Sequence, residues 1–432
     1  MEIKENVMKK LVTDLKVSGK KVLVRVDFNV PHKGNVITDD NRIAAAIPTI
    51  AELVKQGAKV VLMSHLGKVA WKKLKKGQAT QEDIDKQMKK NDLSIALAPL
   101  AKHLEENLGH KVNVSFSKAT KGEELKAAID GLKDGDVLLV QNTRYEAGEE
   151  ANDPKLAAEW ASYVDAFVMD AFGSAHRAHA STFGVPDLLK KEGKQTAVGF
   201  LMEKEIKNLG RCVNPSEEQR PYIAILGGSK VSSKIEVIDS LLKKCDKILI
   251  GGGMGYTFKK AVFGVKVGKS LCEDDQLAYA KKCYETGKIV LSVDTILGKG
   301  FNPDEPDAPI ADKKVVGNED FPDDFEGLDI GPETCKLYTD EIRKAKTVFW
   351  NGPMGVFENK DFQEGTKAIC KACAEATKAG AFTVVGGGDS ASAVKEFGYA
   401  DQFSHISTGG GASLELIQFD GKLPGIDVIE DK

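Results

Sequence analysis

The sequence predicts an α/β protein of two doubly wound, parallel-sheet domains joined by a helical hinge, and three observations carry that prediction. The chain has 432 residues, more than one hydrophobic core usually serves. Short runs of Val, Ile and Leu alternate with segments of helical apolar spacing, and they do so in two rounds. Those runs are apolar at consecutive positions, the mark of strands covered on both faces.

Taken in order, Val22–Phe28 is β-branched and short, and a turn follows at Asn29-Val30-Pro31. Arg42 to Gln56 has helical spacing and ends at Gly57; Lys59–Met63 reads as the next strand. Leu138–Val140 and Ala166–Met169 continue the alternation. A second round comprises Ile223–Leu226, Ile248–Ile250, Ile289–Leu291, Val348–Trp350 and Thr383–Val385. The domain boundary is expected near Val198-Gly199-Phe200, with Leu201 to Leu209 as the bridging helix. Lys68 to Asn91 breaks the rhythm; rich in charge and poor in apolar residues, it reads as a solvated surface insertion.

Composition excludes several classes. The chain is 42% hydrophobic and 29% charged, with a formal net charge of −3. That balance argues against a general nucleic-acid or membrane binder, whose affinity rests on summed positive charge. No apolar run reaches the ~18 residues of a membrane span, and no signal peptide is visible. The seven cysteines suit free thiols in a reducing compartment, so the cytoplasm is the expected location.

Ligands of open α/β sheets collect at the carboxyl ends of strands. Four glycine-rich turns take that position in the second half: Gly227-Gly228-Ser229-Lys230, Gly251–Gly255, Asn351-Gly352-Pro353-Met354-Gly355 and Gly386-Gly387-Gly388-Asp389-Ser390. Glycine lets backbone N–H groups approach an anion, and a helix N-terminus adds favourable dipole charge. Asp389, a carboxylate within an anion site, makes sense facing a Mg²⁺ carried by phosphates. The P-loop and dinucleotide fingerprints are both missing, so the domain binds phosphates in another way.

The first half carries a basic set at its own strand ends: Asp27, Asn29 and Arg42, then His65 and Lys68, then Arg144, then His176 and Arg177. Arginine forks match phosphate and carboxylate geometry, so the set suits a small anionic substrate. His176-x-x-His179 lacks a third zinc ligand. Cys370-x-x-Cys373 lies in a helical run, Gly365 to Lys378, and reads as helix packing.

Five strings resemble the phosphoglycerate kinase family: Arg25-Val26-Asp27-Phe28-Asn29-Val30-Pro31, Ser64-His65-Leu66-Gly67, Asp170-Ala171-Phe172-Gly173, Trp350-Asn351-Gly352-Pro353 and Ser407-Thr408-Gly409-Gly410-Gly411-Ala412. The resemblance covers nearly the whole chain. It implies reversible phosphoryl transfer between 1,3-bisphosphoglycerate and ADP, giving 3-phosphoglycerate and ATP or another purine nucleotide, with Mg²⁺, in a glycolytic monomer. It implies a triose-binding domain over 1–199 completed by a returning tail, 415–432, and a nucleotide domain over 200–414, closing by hinge bending.

Residue by residue, the resemblance assigns Asp27, Asn29, Arg42, His65, Arg144 and Arg177 to the triose. Lys68 stands where the family usually has arginine, keeping charge but losing the bidentate fork. Lys230 and Lys234 match phosphate-contacting lysines, and Asn351, Pro353 and Glu358 lie near phosphates and ribose. Gly252, Gly327 and Leu328 match the purine slot; Gly387, Gly388, Asp389 and Ser390 match the phosphate turn, with Asp389 as metal ligand. Arg42, Lys230 and Lys234 are the expected catalytic cations. Gly255 replaces an alanine common in the family, which could alter packing near the base. Rival readings are a catalytically silent nucleotide-binding homologue and a dehydrogenase on a similar fold; the missing dinucleotide fingerprint counts against the second.

Overall fold

The apolar runs of the first half become β1 (Lys21–Val26), β4 (Lys59–Met63), β5 (Val114–Ser117), β6 (Val137–Val140), β7 (Ala166–Asp170) and β8 (Gln195–Val198), with a small hairpin of β2 (His32–Lys33) and β3 (Val36–Ile37) after β1. The structure is a computed structural model and describes residues 8–432. The six long strands form one parallel sheet in the order β5-β6-β4-β1-β7-β8, with Val24 opposite both Leu62 and Val168. Val22, Val24, Val60, Leu62, Leu139 and Val168 bury one face against Ile43, Ile47 and Ile50 of helix Asn41–Lys55. The alternate residues Leu23, Val61, Phe167 and Met169 are equally buried on the other face. Two covered faces are why these strands read as unbroken apolar runs.

The second half repeats the plan. Strands β9 (Tyr222–Leu226), β10 (Lys247–Ile250), β11 (Ile289–Val290), β15 (Thr347–Asn351), β16 (Phe382–Gly386) and β17 (His405–Ile406) form a parallel sheet ordered β11-β10-β9-β15-β16-β17. The antiparallel sheet of β12 (Thr295–Gly298), β13 (Lys313–Val316) and β14 (Glu326–Ile330), ordered β13-β12-β14, has no counterpart in the sequence reading. In each large sheet, two neighbouring strands send their connections to opposite sides. They are β1 and β7 in the first and β9 and β15 in the second. Such switch points leave a crevice at the carboxyl ends of the strands.

The chain divides into one unit running to Ile206 and taking back Lys422–Lys432, and a second, Lys207–Gly421. The chain crosses between the units twice. The first crossing falls inside helix Phe200–Val213, between Ile206 and Lys207, because that helix is continuous across it. The second falls between Gly421 and Lys422. Helix Gly410–Gln418 stays with the second unit, where it packs on helix Ile235–Lys244 and its Ile417 carbonyl accepts from Ser240 Oγ at 3.3 Å. An ion pair of Lys244 with Asp420 extends the same contact. Beyond it, Leu423, Ile426 and Ile429 are buried, and Glu430 is bound to Thr196 by two hydrogen bonds of 2.9 and 3.0 Å. No helix among the described residues is long and apolar enough to cross a membrane.

Candidate active site

In the second unit, the glycine turns at the ends of β9, β10 and β15 are woven together through their backbones, and side chains tie the turn after β16 to them. The Gly227 N–H donates to the Asn351 carbonyl at 2.9 Å, Gly252 N–H to Met354 at 2.9 Å, and Met254 N–H to Gly228 at 2.9 Å. A side chain at Gly227 would collide with the carbonyls of Gly352 and Pro353, and a Cβ at Gly252 would lie 2.6 Å from the Gly228 nitrogen. The glycines are thus required by close packing as well as by any ligand. Gly387 takes φ of 108°, a conformation only glycine adopts easily, and turns β16 into helix Gly388–Glu396.

Lys234 sits within this weave. Its Nζ donates to the Gly227 carbonyl at 2.7 Å and to Asn351 Oδ1 at 2.8 Å. Asn351 is fixed in turn by its Nδ2, which donates to the Gly386 carbonyl at 2.7 Å. Both lysine acceptors are neutral, so burial dominates and brings the ammonium down to about 8, against a smaller opposing pull from Asp389. An ammonium has three donors; with two spent inside the chain, one is available to an anion.

Beside the turns lies a cavity of about 420 Å³ lined by Gly252, Gly327, Leu328, Pro353, Glu358 and Asp389 among others. Tyr256 also lines it, and a side chain at Gly327 would run into the Tyr256 ring. The structure therefore brings together most of the nucleotide residues expected from the sequence. Asp389 is exposed in the first turn of its helix, and a Cβ at Gly388 would meet nothing within 4 Å. One open carboxylate suits a cation that arrives with most of its ligands, as Mg²⁺ on phosphates does. Ser390 is buried, and its Oγ accepts from the Gly352 N–H at 2.6 Å, bracing two turns. Lys230 is exposed and does not line this cavity.

The first unit holds a cavity of about 730 Å³ lined by Asn29, His65, Lys68, Arg144, His176 and Arg177, with Gln87 and Lys72 also in its lining. Asp27 and Arg42 are not among its lining. They pair with each other, Arg42 Nη1 to Asp27 Oδ2 at 2.8 Å, and Asp27 Oδ1 accepts from the Asn29 N–H at 3.1 Å. Asn29 Oδ1 in turn accepts from the Gly67 N–H at 2.8 Å, joining the ends of β1 and β4.

Sequence reasoning missed the support beneath these groups. Arg25, fully buried in β1, donates from Nε to Ser181 Oγ at 2.8 Å and lies 3.1 Å from His65 Nδ1 through Nη2. Ser181 hydrogen-bonds buried Glu149 through both its hydroxyl and its N–H. Arginine only donates, so Nδ1 of His65 is the acceptor and the ring's proton rests on Nε2. Burial, with Arg25, Arg144 and Arg42 nearby, pushes His65 well below its ordinary value, so the ring is neutral. A lone arginine in the apolar run Val22–Val26 was the one visible signal. Cys370 and Cys373 are buried in helix Glu364–Lys378 among core residues of the second sheet.

Two parallel-sheet units, one with a glycine-woven anion cradle and a buried lysine, the other with a cationic cavity, define a phosphotransferase. The chain belongs to the phosphoglycerate kinase family, whose model, described as phosphoglycerate kinase, matches residues 12–421. A phosphoglycerate kinase of Enterococcus faecalis is 50% identical over 432 residues, covering 98% of this chain and 100% of its own. One of Clostridium novyi is 49% identical over 430 residues, covering 98% and 99%. Among solved structures, the phosphoglycerate kinase from Coxiella burnetii aligns with a TM-score of 0.78 and 34% identity, over 97% of this chain and 98% of that one.

Proposed function

We propose that this chain transfers a phosphoryl group reversibly between 1,3-bisphosphoglycerate and ADP, giving 3-phosphoglycerate and ATP, in the cytoplasm and as a monomer. The observation that carries the reading is Lys234: a buried cation, braced by two neutral oxygens within a glycine cradle, with one donor to spare. Family membership supports the same reaction.

In the nucleotide unit, Gly252, Gly327 and Leu328 take the purine, Glu358 the ribose, and Pro353, Gly387 and Gly388 lie along the phosphates. Lys230 and Lys234 neutralise phosphate charge, while Asn351 acts by holding Lys234. Mg²⁺, when bound through Asp389, supplies charge neutralisation on the phosphate oxygens. In the triose unit, Arg144, Arg177 and Lys68 meet the anionic groups of the glycerate, neutral His65 donates from Nε2, and Asp27 with Asn29 receives or orients its hydroxyl. Arg42 faces the reacting carboxylate. That carboxylate is already ionised at neutral pH, so no general base is required. What remains is positioning and charge stabilisation, supplied by Arg42 and Lys234. Transfer requires the two bound substrates to meet, which is the hinge closure expected of the sequence, and closure excludes water as a competing acceptor.

A silent nucleotide-binding homologue is the reading to defeat, and the presence of Arg42, Lys230, Lys234 and Asp389 speaks against it. The deciding measurement is ATP consumption by the purified full chain with and without 3-phosphoglycerate and Mg²⁺. Turnover should depend on both. Protein that binds nucleotide yet shows no turnover dependent on 3-phosphoglycerate would refute the proposal.

A further inference from the structure

The segment 68–91 is more than the solvated insertion its charge implies. Its outer face fits that description, with Lys72, Lys73, Lys75 and Lys76 all exposed. Its inner face does not. Helices Trp71–Lys75 and Gln81–Lys90 are tied to each other, the Ala70 N–H donating to Gln87 Oε1 at 2.8 Å. They are also fastened to one short stretch, Asn142–Tyr145. Asn142 Nδ2 donates to the Asn91 carbonyl at 2.8 Å, Trp71 Nε1 donates to the Arg144 carbonyl at 2.8 Å, and the Tyr145 hydroxyl donates to the Met88 carbonyl. Three attachments in four residues fix the backbone that carries Arg144.

Arg144 depends on that fixing. It is 7% exposed, its Nη1 pairs with Glu150 at 2.8 Å, and its buried Nε has no hydrogen-bond partner among the described residues. A guanidinium fork recognises an oxyanion only when its plane is held at the right angle. With Glu150 as its one ion-pair partner among the described residues, the side chain takes its orientation largely from the backbone behind it. Ala70, Lys72, Lys73 and Gln87 of the segment line the same cavity as Arg144.

We infer that segment 68–91 is the outer wall of the substrate cavity and that Trp71 is a positioning residue for Arg144. The segment thereby sets affinity for the phosphorylated acid without touching the chemistry. This rests on the reading of the cationic cavity as the 3-phosphoglycerate site. The indole N–H holds the Arg144 carbonyl in place; Lys72 and Lys73 add positive charge at the rim.

The test uses the full chain with Trp71→Phe, which keeps an aromatic body and removes the N–H donor. KM for 3-phosphoglycerate should rise about 5- to 10-fold, the size of one lost hydrogen bond, while kcat and KM for ATP stay within about two-fold. A residue that merely stabilised the fold would lower the melting temperature and leave that KM unmoved. Arg144→Ala is measured in parallel. If Arg144→Ala raises KM for 3-phosphoglycerate and Trp71→Phe does not, the positioning role falls and the cavity's assignment stands. If Arg144→Ala has no effect on it, both fall. Should Trp71→Phe fold poorly, Lys72→Gln with Lys73→Gln, at exposed positions, should raise the same KM about 3-fold with a weaker salt dependence; an unchanged KM would overturn the wall.

Discussion

Lys234 is a cation kept among neutral partners, and that arrangement has a measurable signature. Its ordinary value near 10.4 is brought down to about 8 by burial, so above that pH the free protein holds it largely neutral. Phosphate bound beside it favours the charged form. Nucleotide binding at about pH 8.5 should therefore take up protons, detected by calorimetry in buffers of differing ionisation heat. Lys234→Arg, permanently charged, should abolish the uptake; uptake that persists in this variant would remove Lys234 as its source. For Arg42, proposed to stabilise the transferring group, Arg42→Ala should lower kcat by ~10³ or more and leave the Kd for ATP nearly unchanged. Near-normal turnover would exclude that role. His65, Asn29 and Asp389 could be singled out because polar residues stand where strands end, whereas Lys234, eight residues past β9, came from the family likeness alone. Arg25, Glu149 and Trp71 were not, because each contacts another residue far along the chain and sequence spacing carries no record of contacts across 32 or more positions.

At the scale of elements, strands buried on both faces announced themselves, and β1, β4, β7, β9, β10 and β15 lie within a residue or two of expectation. Edge strands β5, β8 and β17 were missed because they are short, and β5 is only partly buried, so no continuous apolar run marks them. The antiparallel sheet β12–β14 was missed for a related reason: β13 is largely exposed, with Lys313 and Lys314 on it. Yet β14 supplies Gly327 and Leu328 to the cavity beside the glycine turns, so singling out those residues came from family likeness and not from periodicity. The structure also answers the question raised by Gly255. A Cβ there would lie 3.9 Å from Ile250, in ordinary contact, within helix Met254–Phe263. Gly255→Ala should therefore stabilise the fold by about 0.4–1 kcal/mol through the unfolded chain's lost freedom, with KM for ATP unchanged. Denaturant titration reads the first and steady-state kinetics the second; destabilisation would mean the methyl is not accommodated.

On the scale of the whole molecule, the first unit is assembled from both ends of the chain. Four tail side chains, Leu423, Ile426, Val428 and Ile429, are buried, worth on the order of 6 to 12 kcal/mol before the entropy of freeing the tail is set against it. A chain ending at Gly421 should unfold its first unit at lower denaturant and its second at an unchanged midpoint. Trp160 and Trp350, each buried in one sheet's unit, can report the two separately in variants that lack the other tryptophans. Equal shifts in both transitions, or none, would contradict the assignment of the tail to the first unit alone.

The late return of the tail also orders events during synthesis. All of Lys207–Gly421 must leave the ribosome before Leu423 and Ile429 exist to cover their places on the first unit. At ~5–20 residues per second, that is roughly 10–40 s in which a nearly finished domain waits with an uncovered apolar seam. Until its own last residues take their place, that seam stays open to water.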